Sequence, residues 1–227
     1  GMLRRLCKWG ISKGVWPAAA NPAEHLKVPQ ISRFIPKTMI PTIDHIDQLQ
    51  DLIVRTARTE DQKLRRDWLI VAARGTGIRW GELQVLDLND VDLDKGIVSI
   101  TKAGQEKELP ADRRGPPKSR HSVRDVPIPD EDMDLWEQII EATPEGEYFA
   151  QTPKGCVWTN SNFNNKVMHP AKAKVEGWPP GAGFHFLRHY ALTNMLDCGI
   201  PIGDVSRIAG HHSTSFTYDR YVGPNVD

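Results

Sequence analysis

The chain has 227 residues, enough to bury one substantial hydrophobic core, and 26% of them are charged. No apolar run approaches the roughly 18 residues that a membrane-spanning helix needs, so the composition argues against a membrane protein. The formal net charge is zero, which taken alone argues against a uniformly basic surface for nucleic acid.

The charges are nevertheless unevenly distributed along the chain. Residues 101–124 hold seven lysines and arginines against three acidic residues, whereas residues 125–147 hold nine acidic residues and no lysine or arginine. This pattern fits two solvated faces of opposite sign, or a basic surface with an acidic helix turned away from it. Composition does not choose between these two interpretations.

The cysteines and the first residues of the sequence indicate the cellular compartment in which the protein is expected. Cys7, Cys156 and Cys198 lie far apart and form no C-x-x-C pair. That arrangement favours a reducing cytoplasm over a disulfide framework. The first residues lack the apolar stretch of a secretory signal, so no export is expected.

In chain order, the first predicted elements are helices. A helix over residues 3–15 is followed by a proline-containing stretch that ends at Pro41 and is expected to be extended. Thr42 is the predicted N-cap of the next helix, whose apolar residues recur at helical spacing. The predicted helices after this cap cover residues 43–58, 66–73 and 80–86.

The middle of the chain is predicted to form strands. Residues 96–101 and 122–128 are rich in β-branched side chains, and a third strand is expected near residues 107–109. The predicted helices that follow cover residues 130–142, 161–176, 185–197, 202–209 and 214–221. The expected fold class is mainly α with a small antiparallel β-sheet (α+β).

Residues able to do chemistry are spread along the chain. The sequence has no GxxxxGK[ST] phosphate loop, no GxSxG nucleophile elbow and no HExxH zinc motif. Each remaining candidate, taken alone, is more often an ordinary surface or core residue. These candidates are Arg79, Lys118, His185, Arg188, His211 and Tyr221.

Taken together, these side chains suit phosphoryl transfer without a metal. Two guanidiniums can bind the non-bridging oxygens of a phosphodiester and neutralise charge as it develops. A tyrosine hydroxyl, with an ordinary pKa of about 10, needs a neighbouring base and positive charge to attack phosphorus. A lysine can protonate the leaving oxygen, and histidines can transfer or hold protons near neutral pH.

Five segments, in chain order, resemble motifs of the tyrosine recombinase (phage integrase) family. Residues 76–83 (TGIRWGEL) resemble its first arginine motif, and residues 116–128 (PPKSRHSVRDVPI) resemble the strand segment with the catalytic lysine. Residues 184–189 (FHFLRH) match the H-x-x-R box, and residues 208–211 (IAGH) resemble the following glycine–histidine motif. Residues 218–221 (YDRY) end the set. A single such motif would be weak, but five in order are specific.

The resemblance implies which residues bind the phosphate. Arg79 and Arg188 would bind the scissile phosphate from two sides, and His211 would form a hydrogen bond with it. His189 and His212, adjacent to motif residues, are interpreted as incidental.

The resemblance also implies a covalent mechanism. Tyr221 would form a 3′-phosphotyrosyl intermediate that conserves the energy of the broken bond, so that rejoining needs no ATP, metal or other cofactor. Lys118 would protonate the leaving 5′ hydroxyl, and His185 would assist proton transfer around the nucleophile. Glu82 would support the site rather than react.

Two of these assignments have competitors. Lys102 follows the first predicted strand and competes with Lys118, but the Pro-Lys-Ser-Arg context before the last strand favours Lys118. Tyr218 competes with Tyr221, and the spacing from His211 favours Tyr221.

The family resemblance further implies a domain organisation. Residues 1–28 would be a remnant of the last helix of an N-terminal core-binding domain, residues 29–41 a linker, and residues 42–227 the catalytic domain. Without the rest of the core-binding domain, the chain is expected to bind DNA weakly.

The function implied is site-specific integration and excision of a phage or other mobile element in the bacterial cytoplasm. The implied partners are double-stranded DNA with attachment or core sites, a tetramer of the full-length protein on that DNA, and a directionality factor. The fragment alone could be a monomer, and no membrane is involved. The alternatives are relaxation of DNA like that of a type IB topoisomerase, and a non-catalytic DNA-binding module. The latter predicts at least one broken catalytic position, whereas all six positions carry competent residues.

Overall fold

The computed structural model describes residues 2–17, 21, 23, 34–104, 114–115 and 122–223. Contacts between Cα atoms divide the chain into two compact units, Gly1–Arg33 and Phe34–Asp227. The first unit contains helix α1 (Met2–Ser12), close to the predicted helix. The identity of this unit as a remnant of another domain stays a prediction.

The second unit begins with two paired helices, α2 (Ile43–Arg55) and α3 (Glu60–Thr76). The predicted cap of α2 is present, because the Thr42 hydroxyl accepts the backbone N–H of His45 and His45 Nδ1 accepts the backbone N–H of Thr42. Helix α3 ends where Gly77 adopts a left-handed φ of 68°, a conformation that favours glycine.

Three short strands form the main sheet, which is antiparallel in the order β1–β2–β5. They are β1 (Val91–Asp92), β2 (Ile97–Ile100) and β5 (Arg124–Pro127). Between β2 and β5, strands β3 (Ala103–Gly104) and β4 (Arg114–Gly115) pair separately. The sequence predicts β2 and β5, but it misses β1, because two residues show no alternation. The strand expected near residues 107–109 lies outside the described residues.

One further α-helix of this unit lies between α3 and the sheet, and the others follow the sheet. They are α4 (Trp80–Leu83), α5 (Met133–Glu141), α6 (Asn160–Phe163), α7 (His169–Lys172), α8 (His185–Asp197), α9 (Ile202–Ala209) and α10 (Thr214–Thr217). A π-helical segment, Asn164–Met168, joins α6 to α7, and a second one, Tyr218–Val222, follows α10. The bounds predicted for α8 and α9 agree with the structure.

Aromatic side chains fill the core on both sides of α3 and α4. Trp68 of α3 makes edge-to-face contacts with Trp136 and Phe149, with ring centroids 5.2 and 5.1 Å apart. Trp80, at the start of α4, contacts Phe184 in the same way at 4.7 Å. This packing fixes the turn between α3 and α4, where Arg79 lies.

The architecture confirms the expected fold class, mainly helical with one small antiparallel sheet. Within the described ranges, no helix has both the length and the apolar character needed to cross a membrane.

Candidate active site

The C-terminal end of helix α9 brings three arginines together. The carbonyl oxygens of three consecutive residues, 208 to 210, each accept a hydrogen bond from a different arginine, at 2.5, 2.6 and 2.8 Å. Arg124 donates to the carbonyl of Ile208, Arg188 to that of Ala209, and Arg79 to that of Gly210. The last carbonyls of a helix have no partner within the helix, and the negative end of its dipole favours cations.

Arg188, on α8, is 3% exposed and held from three directions. One terminal nitrogen donates to the carbonyl of Gly77 at 2.5 Å, while the other lies 2.6 Å from the carbonyl of Ala209 and 3.2 Å from His211 Nε2. Burial and the charge of Arg79 lower the pKa of Arg188 to about 9, so this guanidinium still carries a proton at neutral pH.

Arg79, just before α4, is more accessible than Arg188. Its side chain is 32% exposed, and its terminal nitrogens donate to Glu82 Oε1 at 2.9 Å and to the carbonyl of Gly210 at 2.8 Å. Two arginine side chains, one buried and one reaching solvent, therefore border the same helix end. This is the arrangement that can hold a phosphate anion between two guanidiniums.

Glu82 joins Arg79 to a third arginine, Arg124 of β5. Arg124 donates to both Glu82 oxygens, at 3.0 and 2.9 Å, while the side chain and the backbone N–H of Arg79 also donate to this carboxylate. Burial alone would raise the pKa of Glu82, but the hydrogen bonds and charge of Arg124 and the charge of Arg79 lower it to about 2. Glu82 is therefore ionised and fully hydrogen-bonded.

His211 follows directly after the left-handed residue Gly210 (φ 61°). Its Nε2 lies 3.2 Å from the Arg188 guanidinium, which can only donate, so Nε2 accepts and Nδ1 carries the proton. That Nδ1–H donates to the Thr217 hydroxyl at 2.8 Å. Burial and the charges of Arg188 and Arg79 lower the pKa of His211 to about 3, so the ring is neutral.

Tyr221 lies in the π-helical segment after α10 and is only 7% exposed. Its ring is stacked over that of His211 at a centroid distance of 6.4 Å, and its hydroxyl lies 2.8 Å from Nδ1 of His189. Burial raises the pKa of the Tyr221 phenol, against the lowering effect of the Arg188 and Arg220 charges. The competing Tyr218 is 41% exposed. Only Tyr221 of these two is buried among the site residues.

His185, the first residue of α8, is exposed, and its ring contacts that of His189 edge to face at 4.7 Å. Desolvation by neighbouring atoms and the charges of Arg188 and Arg220 lower the pKa of the His185 imidazole. Because this side chain is exposed, solvent screens part of the effect. It lies at the edge of the cluster rather than inside it.

The two candidate lysines differ in what the structure describes. Lys118 lies outside the described residues. Lys102 is described, and its ammonium group lies 2.7 and 2.8 Å from the carboxylates of Asp87 and Asp90. Because its charge is already neutralised by two carboxylates, Lys102 is poorly placed to donate a proton to a substrate.

The sequence analysis missed two roles. His189, interpreted as incidental, contacts the Tyr221 hydroxyl; its position four residues after His185 places both on one helix face, which was the available signal. Arg124, counted as part of a basic segment, is buried against Glu82; it lies two residues before buried Val126, on the same face of β5, and therefore points inward.

Two members of that basic segment do not contribute to an exposed basic surface. Lys102 and Arg124 are both paired with buried carboxylates. Lys107, Arg113, Lys118 and Arg120 lie outside the described residues, as does the side chain of Arg114. Among the described residues, no group of three or more histidine, cysteine, aspartate or glutamate side chains could hold a metal ion.

Comparison with known proteins finds relatives of this chain in sequence and in fold. A model of the phage integrase family matches residues 45–226. The tyrosine recombinase XerC of Proteus mirabilis is 24% identical over 224 residues, covering 95% of this chain and 63% of the relative. The tyrosine recombinase XerA of Thermococcus kodakarensis is 29% identical over 201 residues, covering 86% and 61%. The chain therefore spans less than two thirds of the length of these curated relatives.

Solved structures show the same fold. The Tn1549 transposon integrase in complex with circular intermediate DNA has a TM-score of 0.71 at 17% identity, covering 95% of this chain and 72% of that one. The XerH site-specific recombinase bound to its difH substrate has a TM-score of 0.62 at 17% identity, covering 95% and 59%.

Proposed function

The chain belongs to the phage integrase family, and from this membership we propose that it contains the catalytic machinery of a site-specific DNA recombinase that acts through a phosphotyrosyl bond. The observation that supports this most directly is the cluster at the end of α9. There, Arg79 and Arg188 donate to two consecutive backbone carbonyls, Arg188 also donates to His211, and Tyr221 stacks on His211. The substrate proposed is double-stranded DNA.

The proposed reaction is a transesterification at one phosphodiester. The Tyr221 oxygen attacks phosphorus, its bond to phosphorus forms, and the bond from phosphorus to the 5′ oxygen breaks. Lys118 donates a proton to the leaving 5′ oxygen, and the proton of the Tyr221 hydroxyl passes to the neutral imidazole of His185. A 5′ hydroxyl from another strand reverses these steps, so no external energy source, metal or cofactor is required.

The arginines and His211 stabilise the charge that develops on the non-bridging oxygens. Arg188 is preorganised, because three hydrogen bonds hold it before any substrate arrives. Arg79 is the more exposed of the two and is aligned by Glu82. His211 already has its Nε2 directed toward Arg188. A phosphate that binds both would replace that contact, and its negative charge favours uptake of a proton from solvent at Nε2 of His211. Nε2, which accepts before substrate binds, then donates a charge-assisted hydrogen bond to a phosphate oxygen.

The biological setting proposed is integration and excision of a phage or other mobile element inside a bacterial cell. We further propose attachment or core sites as the DNA target, a tetramer of the full-length protein on that DNA, and a directionality factor as regulator. The support is the likeness to a transposon integrase and to a recombinase, each solved with DNA.

The test is covalent capture of DNA. The chain is incubated with a pool of nicked duplexes of random sequence, and DNA that resists removal by detergent is recovered and sequenced. The wild-type chain is expected to yield an adduct that Tyr221→Phe abolishes and Tyr218→Phe retains. An adduct lost only in Tyr218→Phe would overturn the assignment of the nucleophile. No adduct, even from the full-length protein, would overturn the enzymatic function and favour a non-catalytic DNA-binding module.

A second assay separates recombination from simple relaxation. Supercoiled plasmid carrying two copies of the captured sequence is incubated with the full-length protein. Recombinant circles would support strand exchange between two sites. Relaxed plasmid without recombinant products would favour the topoisomerase-like alternative, which shares this cleavage chemistry.

A further inference from the structure

The hydroxyl of Tyr221 has a partner that the motifs do not assign. We propose that His189 holds this hydroxyl in position for attack and is therefore a positioning residue of the nucleophile. The inference rests on the proposed function, because it concerns the same tyrosine and the same reaction. It goes further by separating the roles of His185 and His189, which lie four residues apart on α8.

The contact is short and shielded from solvent. Nδ1 of His189 lies 2.8 Å from the Tyr221 oxygen, and the two residues are 2% and 7% exposed. Leaving a buried hydroxyl without a hydrogen-bond partner is unfavourable, so this hydrogen bond favours one orientation of the Tyr221 hydroxyl. His185 is exposed and contacts the ring of His189.

Both partners are fixed by their surroundings. The His189 ring is flanked edge to face by the rings of His185 and Phe186, with centroids 4.7 and 5.1 Å away. The Tyr221 ring packs in an apolar cluster with Leu192, Val205 and Ala209. Apolar contacts therefore fix the ring of Tyr221, and the hydrogen bond with His189 fixes its hydroxyl oxygen.

Burial keeps both groups of this pair neutral. Burial and the charges of His185, Arg220 and Arg188 lower the pKa of His189 to about 3, and burial raises that of Tyr221. The phenol therefore retains its proton at neutral pH and donates it to Nδ1, which requires the Nε2–H form of His189. A hydroxyl that donates to Nδ1 keeps its lone pairs available for phosphorus.

Two amide substitutions distinguish positioning from simple packing. In His189→Asn the amide group takes the place of Nδ1, whereas in His189→Gln it lies one bond further out, near the place of Nε2. Both variants are uncharged, polar and similar in size. The rate of adduct formation is measured with a nicked duplex recovered in the capture experiment, and His212→Asn serves as the control because His212 is exposed.

We expect His189→Gln to cleave at least tenfold more slowly than His189→Asn, with equal amounts of substrate bound and equal thermal unfolding midpoints. The control should cleave like the wild type. Equal losses in the Asn and Gln variants, or no loss in either, would overturn the inference while leaving the recombinase function intact. Absence of an adduct from the wild-type chain would instead reject the function, and this inference with it.

Discussion

Glu82 and Arg124 form a two-point ion pair in which Nη1 and Nη2 of the arginine lie 3.0 and 2.9 Å from the two carboxylate oxygens. Both side chains are nearly inaccessible, with exposures of 4% and 3%. The pair connects α4 with β5, and through Glu82 it also fixes Arg79. One buried interaction therefore joins the first arginine motif to the strand that follows the Lys118 segment.

Removing Arg124 should destabilise the protein. Arg124→Met leaves the Glu82 carboxylate buried with less compensation and removes the hydrogen bonds that Arg124 donates to the carbonyls of Ile208 and Ser122. Breaking a buried pair by removing one partner typically costs about 3–5 kcal/mol, so we expect a loss of that size in the free energy of unfolding by urea. Arg207→Met is the matched control, because Arg207 is 75% exposed and its pair with Asp204 should contribute less than about 1 kcal/mol. Equal losses of unfolding free energy in Arg124→Met and Arg207→Met would contradict the argument that the buried pair contributes more than the exposed one.

Glu82 should also govern stability in acid. Its pKa is lowered to about 2 from an ordinary 4.5, so the unfolded chain takes up the proton first as the pH falls. The stabilisation is complete above pH 4.5 and is lost as the pH falls toward 2. Glu82→Gln should therefore reduce the slope of unfolding free energy against pH in this range, by at most about 1.4 kcal/mol per pH unit. Glu137→Gln, on the exposed side of α5, controls for loss of one carboxylate. A slope that Glu82→Gln leaves unchanged would show that another group titrates.

Much of the fold follows from local sequence signals. The Thr42 cap is a local feature, and the structure has it where the sequence predicts it. The bounds of α5 and of the last helix were less accurate, because a 3-10 turn at Asp130–Asp132 and the π-helical segment Tyr218–Val222 interrupt regular periodicity. Strand β1 depends on pairing with β2 and has no signal of its own.

The site was predictable to the extent that its residues carry motifs. Arg79, Arg188, His211 and Tyr221 were named from sequence, and the structure brings them to one helix end. The burial of Arg124 and the contact of His189 with the tyrosine depend on segments distant in sequence. The sequence can place these residues on one face of a helix or strand, but it does not show which distant residue they contact.

The proton on His211 should depend on Thr217. This threonine is fully buried, and its hydroxyl accepts the Nδ1–H of His211. Thr217→Val keeps the shape but removes the acceptor, so Nδ1–H loses its partner at a cost of about 1–3 kcal/mol. If the proton moves to Nε2 of His211 instead, this N–H points at an N–H of Arg188, so that two donors face each other. We expect adduct formation to slow by at least tenfold, with a changed histidine nitrogen shift by NMR. Thr214→Val, at the exposed start of α10, should behave like the wild type, and equal rates for both variants would contradict the role of Thr217.

The lysine that protonates the leaving group can be identified with a modified substrate. Replacing the bridging 5′ oxygen at the scissile phosphate with sulfur gives a leaving thiol, whose pKa is near 8.5, so that departure needs little help from a proton donor. Lys118→Ala should lose at least a hundredfold in cleavage of the ordinary substrate and recover to near the wild-type rate on the sulfur substrate.

Lys102→Ala provides the comparison, because Lys102 is bound to Asp87 and Asp90 and its loss leaves two buried carboxylates close together. We expect this variant to be less stable and to cleave both substrates at similarly reduced rates, since the missing contact is structural. Selective recovery of Lys102→Ala on the sulfur substrate, without recovery of Lys118→Ala, would transfer the acid role to Lys102. In that case the two aspartates would have to release the Lys102 ammonium group when DNA binds.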